Sequence, residues 1–194
     1  LLFRDKKLRR HQYYARPDWK GGMYVSPGIG GSRSGGLIAA TWAVMVSLGR
    51  SGYLEKARRI FETAFAMQAH VKKHPELRMM GSPTFCFSFT SDDFDIYHVN
   101  DFMKTRGWRF NGQQYPSAVH MCVTGPQTQP GVPERFGADL AEVVAYAKSP
   151  PQPIPRSGAL YGGQGSRATT AGIDMDRLRE RLKDFIDSTL EQPR

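Results

Sequence analysis

The chain has 194 residues, 40% of them hydrophobic and 11% aromatic, which is enough to bury a sizeable core and excludes a largely disordered polymer. A formal net charge of +9 points to an anionic partner, and nucleic acid, a membrane surface and a phosphorylated small molecule all fit that sign. The only cysteines, Cys86 and Cys122, each lie in an apolar run. They read as buried reduced thiols of a cytoplasmic protein, not as a disulfide framework, and no metal-type Cys/His spacing accompanies them.

The opening "LLFRDKKLRR" lacks an initiator methionine and reads as a buried strand, Leu1–Phe3, running into a basic turn. This is the look of the C-terminal piece of something longer. Arg4–Arg10 is charged and no apolar segment follows closely, so the layout of a signal peptide is missing. "HQYYARPDW" follows as a loop with aromatic anchors, and then "GGMYVSPGIGGSRSGG" from Gly21 to Gly36. Leu37–Leu48, "LIAATWAVMVSL", is apolar on every side, which predicts a helix buried all round. At about a dozen residues it is too short for a bilayer, which needs roughly 20. "GRSGY" at 49–53 breaks it, and Leu54–Lys72 resumes as an amphipathic helix with Leu54, Ala57, Phe61, Phe65 and Ala69 at helical spacing.

"TFCFSFTS" at 84–91 predicts a strand, and Asp93–Arg106 a helix closed by Gly107. Asn111-Gly112 is a hairpin-turn signal before the next strand, "AVHMCVT" at 118–124. Arg135–Lys148 reads as a helix, "SPPQPIP" as a connection, and Asp176–Leu190 as a last helix with Leu178, Leu182, Phe185 and Leu190 on one side. The order predicts a small antiparallel sheet covered by helices. His11, His70, His74 and His98 look like surface residues, and His120, in an apolar strand, like a satisfied core histidine.

The Gly21–Gly36 stretch has the chemistry of a phosphate cradle. Glycines at 28, 30, 31, 35 and 36 let backbone N–H groups approach a ligand and tolerate the positive φ of an anion-binding nest. The stretch opens into a helix N-terminus, which favours an anion, and Ser32, Arg33 and Ser34 add hydroxyl and guanidinium donors. It is neither a Walker A loop nor a clean G-x-G-x-x-G after a strand. A Gly-rich turn capping a buried helix, with Ser34 as N-cap, explains the same composition. The residues alone leave both readings open.

"WKGGMYVSPGIGGSRSGG" resembles the W-x-G-G-x-Y-x-S-P-x-I-x-G-S-R-x-G-G segment of the sphingosine-1-phosphate lyases, members of the pyridoxal-phosphate-dependent group II decarboxylase-like family. The resemblance continues through "FDIYHVNDFMKTRGW", "PSAVHMCVT" and "GALYGGQG". It implies an α/β, fold-type I transferase-like architecture, with residues 1–50 ending the large pyridoxal-phosphate-binding domain and 51–194 forming an α+β small domain. It implies Tyr24 as an active-site proton-transfer group, Gly31 and Ser32 on the phosphate of pyridoxal 5'-phosphate, and Arg33 and Tyr161 at the substrate, with Arg33 equally suited to an interface ion pair. The substrate implied is a phosphorylated sphingoid base, split to a fatty aldehyde and phosphoethanolamine.

The lysine that carries the cofactor lies in this family upstream of the segment matching Leu1–Phe3, so this chain by itself is expected to be inactive. The implied partners are the N-terminal portion bearing that lysine and a second copy, in a homodimer with shared active sites; the expected setting is cytoplasmic, of bacterial type. Two other readings compete. An amino-acid decarboxylase of the same superfamily shares fold and cofactor but takes a substrate with no phosphate. A basic nucleic-acid-binding module would use Lys6–Arg10 and Arg177–Lys183, yet these charges are dispersed and no reading motif accompanies them. No nucleic-acid partner is therefore expected.

Overall fold

A computed structural model describes residues 3–28, 30, 33–159 and 174–191. Its centre is a four-stranded antiparallel sheet, β3 (Arg78–Met79), β4 (Cys86–Thr90), β5 (Asn111–Gln113) and β6 (Ala118–Cys122), in the order β3-β4-β6-β5. Before it in sequence come α1 (Lys6–Arg9), a two-stranded hairpin of β1 (Tyr14–Arg16) and β2 (Tyr24–Ser26), and α2 (Gly35–Val71). Three further helices follow the pattern of the sequence: α3 (Tyr97–Thr105), α4 (Val132–Lys148) and α5 (Met175–Leu190). The antiparallel sheet under helices is thus as expected, while β1, β2 and β3 were not foreseen and Lys6–Arg9, read as part of a basic turn, is helical. The expected strand at Leu1–Phe3 finds no support at Phe3, which is irregular and 39% exposed; positions 1 and 2 lie outside the described residues.

Alternation along β4 and β6 sends Phe87, Phe89, Val119 and Met121 to one face, where they are buried against α2, α3 and α4. Phe136 of α4 meets Phe87, Trp108 and Phe110 edge-on at ring distances of 6.3, 5.3 and 6.4 Å. Buried Asp139 accepts from Trp108 Nε1 at 2.7 Å, and the Arg135 guanidinium covers the same indole at 4.2 Å. The opposite face of β4 and β6 carries Cys86, Ser88, His120 and Cys122. This corrects the reading of the cysteines as buried: Cys86 is half-buried and Cys122 exposed, and the two stand directly across from each other.

The hairpin before β6 exists, but Asn111 and Gly112 are strand residues of β5, and the turn falls at Gln114–Ser117 over a cis Tyr115–Pro116 bond. Gly112 has another purpose, because a Cβ there would run into the carbonyl of Gly158. On α5 the buried residues are Leu178, Leu182, Ile186 and Asp187, whereas Phe185 and Leu190 face outward, contrary to expectation. Asp187 receives Tyr13 Oη at 2.7 Å, Arg9 at 2.6 Å and Arg10 at 2.7 Å, which ties the N-terminal segment to α5. The Tyr13 hydroxyl and the two guanidinium groups hold its carboxyl well below the usual carboxylate range.

α2 departs most from the sequence reading. It runs 37 residues, with a non-helical Gly49 (φ 57°, ψ −177°) where the sequence placed the break. Beyond that kink the core face is Ile60, Thr63, Ala64, Met67, Gln68 and Val71, and not the expected Leu54–Phe61–Phe65 face; Leu54 and Phe65 are exposed. Before the kink the segment expected to be buried all round is bare: Leu37, Ile38, Trp42, Met45 and Val46 are all at least 56% exposed. Taken across the kink, α2 is long enough and, over an 18-residue window of mean hydropathy 1.2 with none of it buried, apolar enough to cross a membrane. Its apolar part ends at the Gly49 kink, and about 14 helical residues reach roughly 21 Å, against a hydrocarbon core of about 30 Å.

The histidines divide differently from the surface reading. His11 is exposed, His70 and His74 are half-buried, and His98 is buried against Tyr146 at 6.4 Å.

Candidate active-site loop

β1 and β2 pair antiparallel with Tyr14 opposite Ser26 and Arg16 opposite Tyr24. The connection between them doubles back at Gly22 (φ 107°), a left-handed conformation that glycine takes without strain. Gly21 is needed for a second reason, since a Cβ would lie 2.9 Å from the Trp19 ring. That ring meets Tyr24 at 5.7 Å and 90°, and Tyr14 meets it at 6.0 Å and 61°. Tyr24 is therefore half-buried between two edge-on aromatics, which limits its motion and leaves it at the mouth of the loop. Tyr14 and Trp19 both lie within the stretch read as aromatic anchors.

Backbone bonds fix this hairpin to the rest of the molecule. Gln114 donates from its side chain to the carbonyls of Pro17 (2.9 Å) and Trp19 (2.7 Å) and from its backbone to that of Lys20 (3.0 Å). Met23 N donates to Ala159 O at 2.6 Å. Gln114 has no sequence signal beyond its place next to a turn, and only the fold reveals that it holds the loop.

Past β2, Ser26 Oγ donates to Gly28 O at 2.7 Å and Gln12 Nε2 to Pro27 O at 2.9 Å. The Arg33 guanidinium folds back onto Gly30, where a Cβ would come within 2.8 Å of Nη2. Ser34 is the N-cap of α2, with extended backbone and no side-chain capping bond, and its carbonyl accepts from Leu37 N (3.1 Å) and Ile38 N (3.2 Å). Gly35 and Gly36 occupy the first two helical positions, whose N–H groups no intrahelical carbonyl can reach, and both are exposed. The positive-φ nest is corrected in part: among the described residues Gly28, Gly30, Gly35 and Gly36 are not left-handed. Gly31, Ser32 and Tyr161 lie outside the described residues.

The donors present (the Gly35 and Gly36 N–H groups, the Ser34 hydroxyl and the Arg33 guanidinium at a helix N-terminus) suit the anionic end of a ligand.

His120 departs from the satisfied core histidine of the sequence reading. It is half-buried, its Nδ1 is buried with no hydrogen-bond partner among the described residues, and burial lowers its pKa.

No protein-family model matches the chain. The fold is of the class shared with a Lactobacillus brevis glutamate decarboxylase, a likeness in fold alone at 14% identity, a TM-score of 0.50 and 72% of this chain. At the level of sequence the match is far closer. A solved Burkholderia pseudomallei sphingosine-1-phosphate lyase is 55% identical, with a TM-score of 0.66 over 98% of this chain and 38% of that one. Sphingosine-1-phosphate lyases of Drosophila melanogaster (43% identity, 84% of this chain, 30% of theirs) and Oryza sativa (39%, 97% and 34%) align in the same way. By sequence the chain is similar to sphingosine-1-phosphate lyases over most of its own length, and it spans about a third of the length of the curated relatives it matches.

Proposed function

We propose that this chain is the C-terminal portion of a pyridoxal-phosphate-dependent lyase that splits a phosphorylated sphingoid base into a fatty aldehyde and phosphoethanolamine. The observation that carries the reading is Tyr24. It is clamped edge-on by Tyr14 and Trp19 at the mouth of the very loop whose sequence matches the lyases, one loop-length from a helix N-terminus rich in anion donors.

Pyridoxal phosphate, when bound, supplies an electron sink for breaking a carbon–carbon bond. Ser34 and the N–H groups of Gly35 and Gly36 would hold its phosphate, together with Gly31 and Ser32 as the resemblance implies. Tyr24 would take the proton of the substrate hydroxyl as the bond breaks, for which a positioned phenol is suited. Arg33 would hold the substrate phosphate or pair across an interface, and Tyr161 would close over the substrate. The lysine that carries the cofactor belongs to the remaining two thirds of the polypeptide. In this reading residues 1–50 complete the large domain, in keeping with the kink at Gly49, and 51–194 form the small one.

The bare apolar half of α2 and the exposed donors at its start support a site completed by other parts of the protein, and by a second subunit in a homodimer. A Ser32→Asp subunit mixed with a lysine-null subunit should then recover part of the activity in hybrid sites; proven heterodimers with no recovery would count against sharing. The function itself is tested on the full-length enzyme. Release of aldehyde from a phosphorylated sphingoid base is expected, and none from the dephosphorylated base. Carbon dioxide from an amino acid, with no aldehyde, would replace the lyase by the decarboxylase reading.

A further inference from the structure

The open face of the central sheet carries a second chemical grouping that the lyase reading does not use. Cys86 and Cys122 are directly paired across β4 and β6, and their sulfurs are 3.1 Å apart. His120 lies two residues before Cys122 on the same face, and its ligand nitrogen and both sulfurs lie within 4.8 Å of one another. No linear spacing announces this trio, because one member is on a different strand.

The imidazole is poorly served where it stands. Nδ1 is buried with no hydrogen-bond partner among the described residues, and Nε2 reaches the Asn111 side chain only at 3.5 Å. Buried polar nitrogens are normally paired, and an imidazole with one unpaired nitrogen, standing beside two thiols, has the donor set of a soft metal ion. Access exists as well. Cys86 and His120 line a cavity of about 390 Å³ together with Trp19, Met80 and Ser88, and Cys122 opens to solvent. Met80 brings a third sulfur to this wall, with Ser88 Oγ 3.6 Å from its Sδ.

The geometry points to a zinc(II) site formed by Cys86, Cys122 and His120, with a fourth position open to water. Binding is a ligand exchange with no change of oxidation state: Zn²⁺ displaces one proton from each thiol, accepts a lone pair from neutral imidazole, and two protons go to solvent. Zinc–sulfur bonds of about 2.3 Å at the tetrahedral angle place two sulfurs roughly 3.8 Å apart. The pair would therefore open by about 0.7 Å, within the reach of side-chain rotation on one exposed and one half-exposed residue. A disulfide would need the sulfurs to close to about 2.05 Å, and it would leave the histidine without a purpose. Without the ion, burial and the neighbouring Cys122 thiol push the Cys86 thiol up to about 12, so it stays protonated and is a sluggish nucleophile at neutral pH.

The test uses the reduced, metal-free, cofactor-loaded full-length enzyme, titrated with Zn²⁺ and in parallel with Co²⁺. One zinc per protomer should survive gel filtration in the wild type and be lost in Cys122→Ala. Co²⁺ should give the visible ligand-field bands of a tetrahedral thiolate site, bleached by Zn²⁺. Alkylation of Cys86 and Cys122, followed peptide by peptide, should slow at least about tenfold with zinc present, and His120→Gln should weaken zinc binding by about 10–100-fold. Because Cys122 is exposed, Cys122→Ala should melt as the metal-free wild type does; Cys122→Ser serves with the same readouts should it not. The proposal is overturned if wild type and Cys122→Ala retain equal zinc, or if His120→Gln binds zinc as tightly as wild type. It is equally overturned if the reduced protein takes up none while mild oxidation yields a Cys86–Cys122 disulfide.

Discussion

The two halves of α2 make the sharpest contrast in the molecule. Beyond Gly49 the helix sets Ala64, Met67 and Val71 into the core with no measurable exposure; before it, Leu37, Ile38 and Trp42 are 61–69% exposed. The first half is the more apolar of the two, so apolar content does not decide which half this chain buries. What decides it is whether a partner surface is present. The second half has the sheet and α4 to lie on, and the first has none among the described residues. In the proposed reading that surface comes from other parts of a longer polypeptide.

The largest expected effect breaks the contrast directly. Phe87→Ala removes a fully buried ring packed on Phe89 and Phe136 and should cost about 3–5 kcal/mol wherever the protein is measured by denaturant unfolding. Trp42→Ala should cost nothing in the 194-residue chain and yet destabilise the full-length enzyme. Equal behaviour of Trp42→Ala in both would remove the case for a missing surface.

A smaller effect is expected at Asp139, which accepts from Trp108 and faces Arg106 and Arg135 at 3.8 and 3.9 Å. Asp139→Ala leaves a buried indole N–H unpaired and should cost about 1–3 kcal/mol in unfolding free energy.

The smallest is a pH slope. Burial, with Lys73 and His74 adding to it and Glu134 opposing, lowers the pKa of His70, whose ring rests on Gly137. The unfolded chain then binds a proton that the native state resists. The stability His70 contributes is thus present above about pH 6.5 and is lost as pH falls below it toward the folded-state pKa. Thermal melts between pH 7 and pH 5 should show a shallower decline in His70→Gln than in wild type.

Much of the core was legible because its signals are local. The apolar runs at 84–91 and 118–124 became β4 and β6, and the glycine at 107 closes α3 with φ 83°. The hairpin turn was misplaced because Asn111-Gly112 mimics a turn, while the glycine answers to the Gly158 carbonyl, 46 residues on. The face of α2 was misread for a related reason: Phe61 and Phe65 keep helical spacing but pack on each other, at 6.0 Å, and do not reach the core. Tyr24 stands out in the sequence through the motif around it. The clamp by Trp19 and Tyr14, the tether by Gln114 and the Cys86–His120–Cys122 grouping depend on strand pairing, which no single segment encodes.

The account rests most heavily on Tyr24 as the group that takes the substrate proton. The decisive measurement is aldehyde release by full-length Tyr24→Phe on a phosphorylated sphingoid base, with cofactor content followed by absorbance in the same samples. A positioned proton-transfer group is worth about 10²–10⁴-fold, so turnover should fall by that factor while the cofactor stays bound. Full turnover in Tyr24→Phe would make the tyrosine a packing residue between Tyr14 and Trp19 and contradict the assignment.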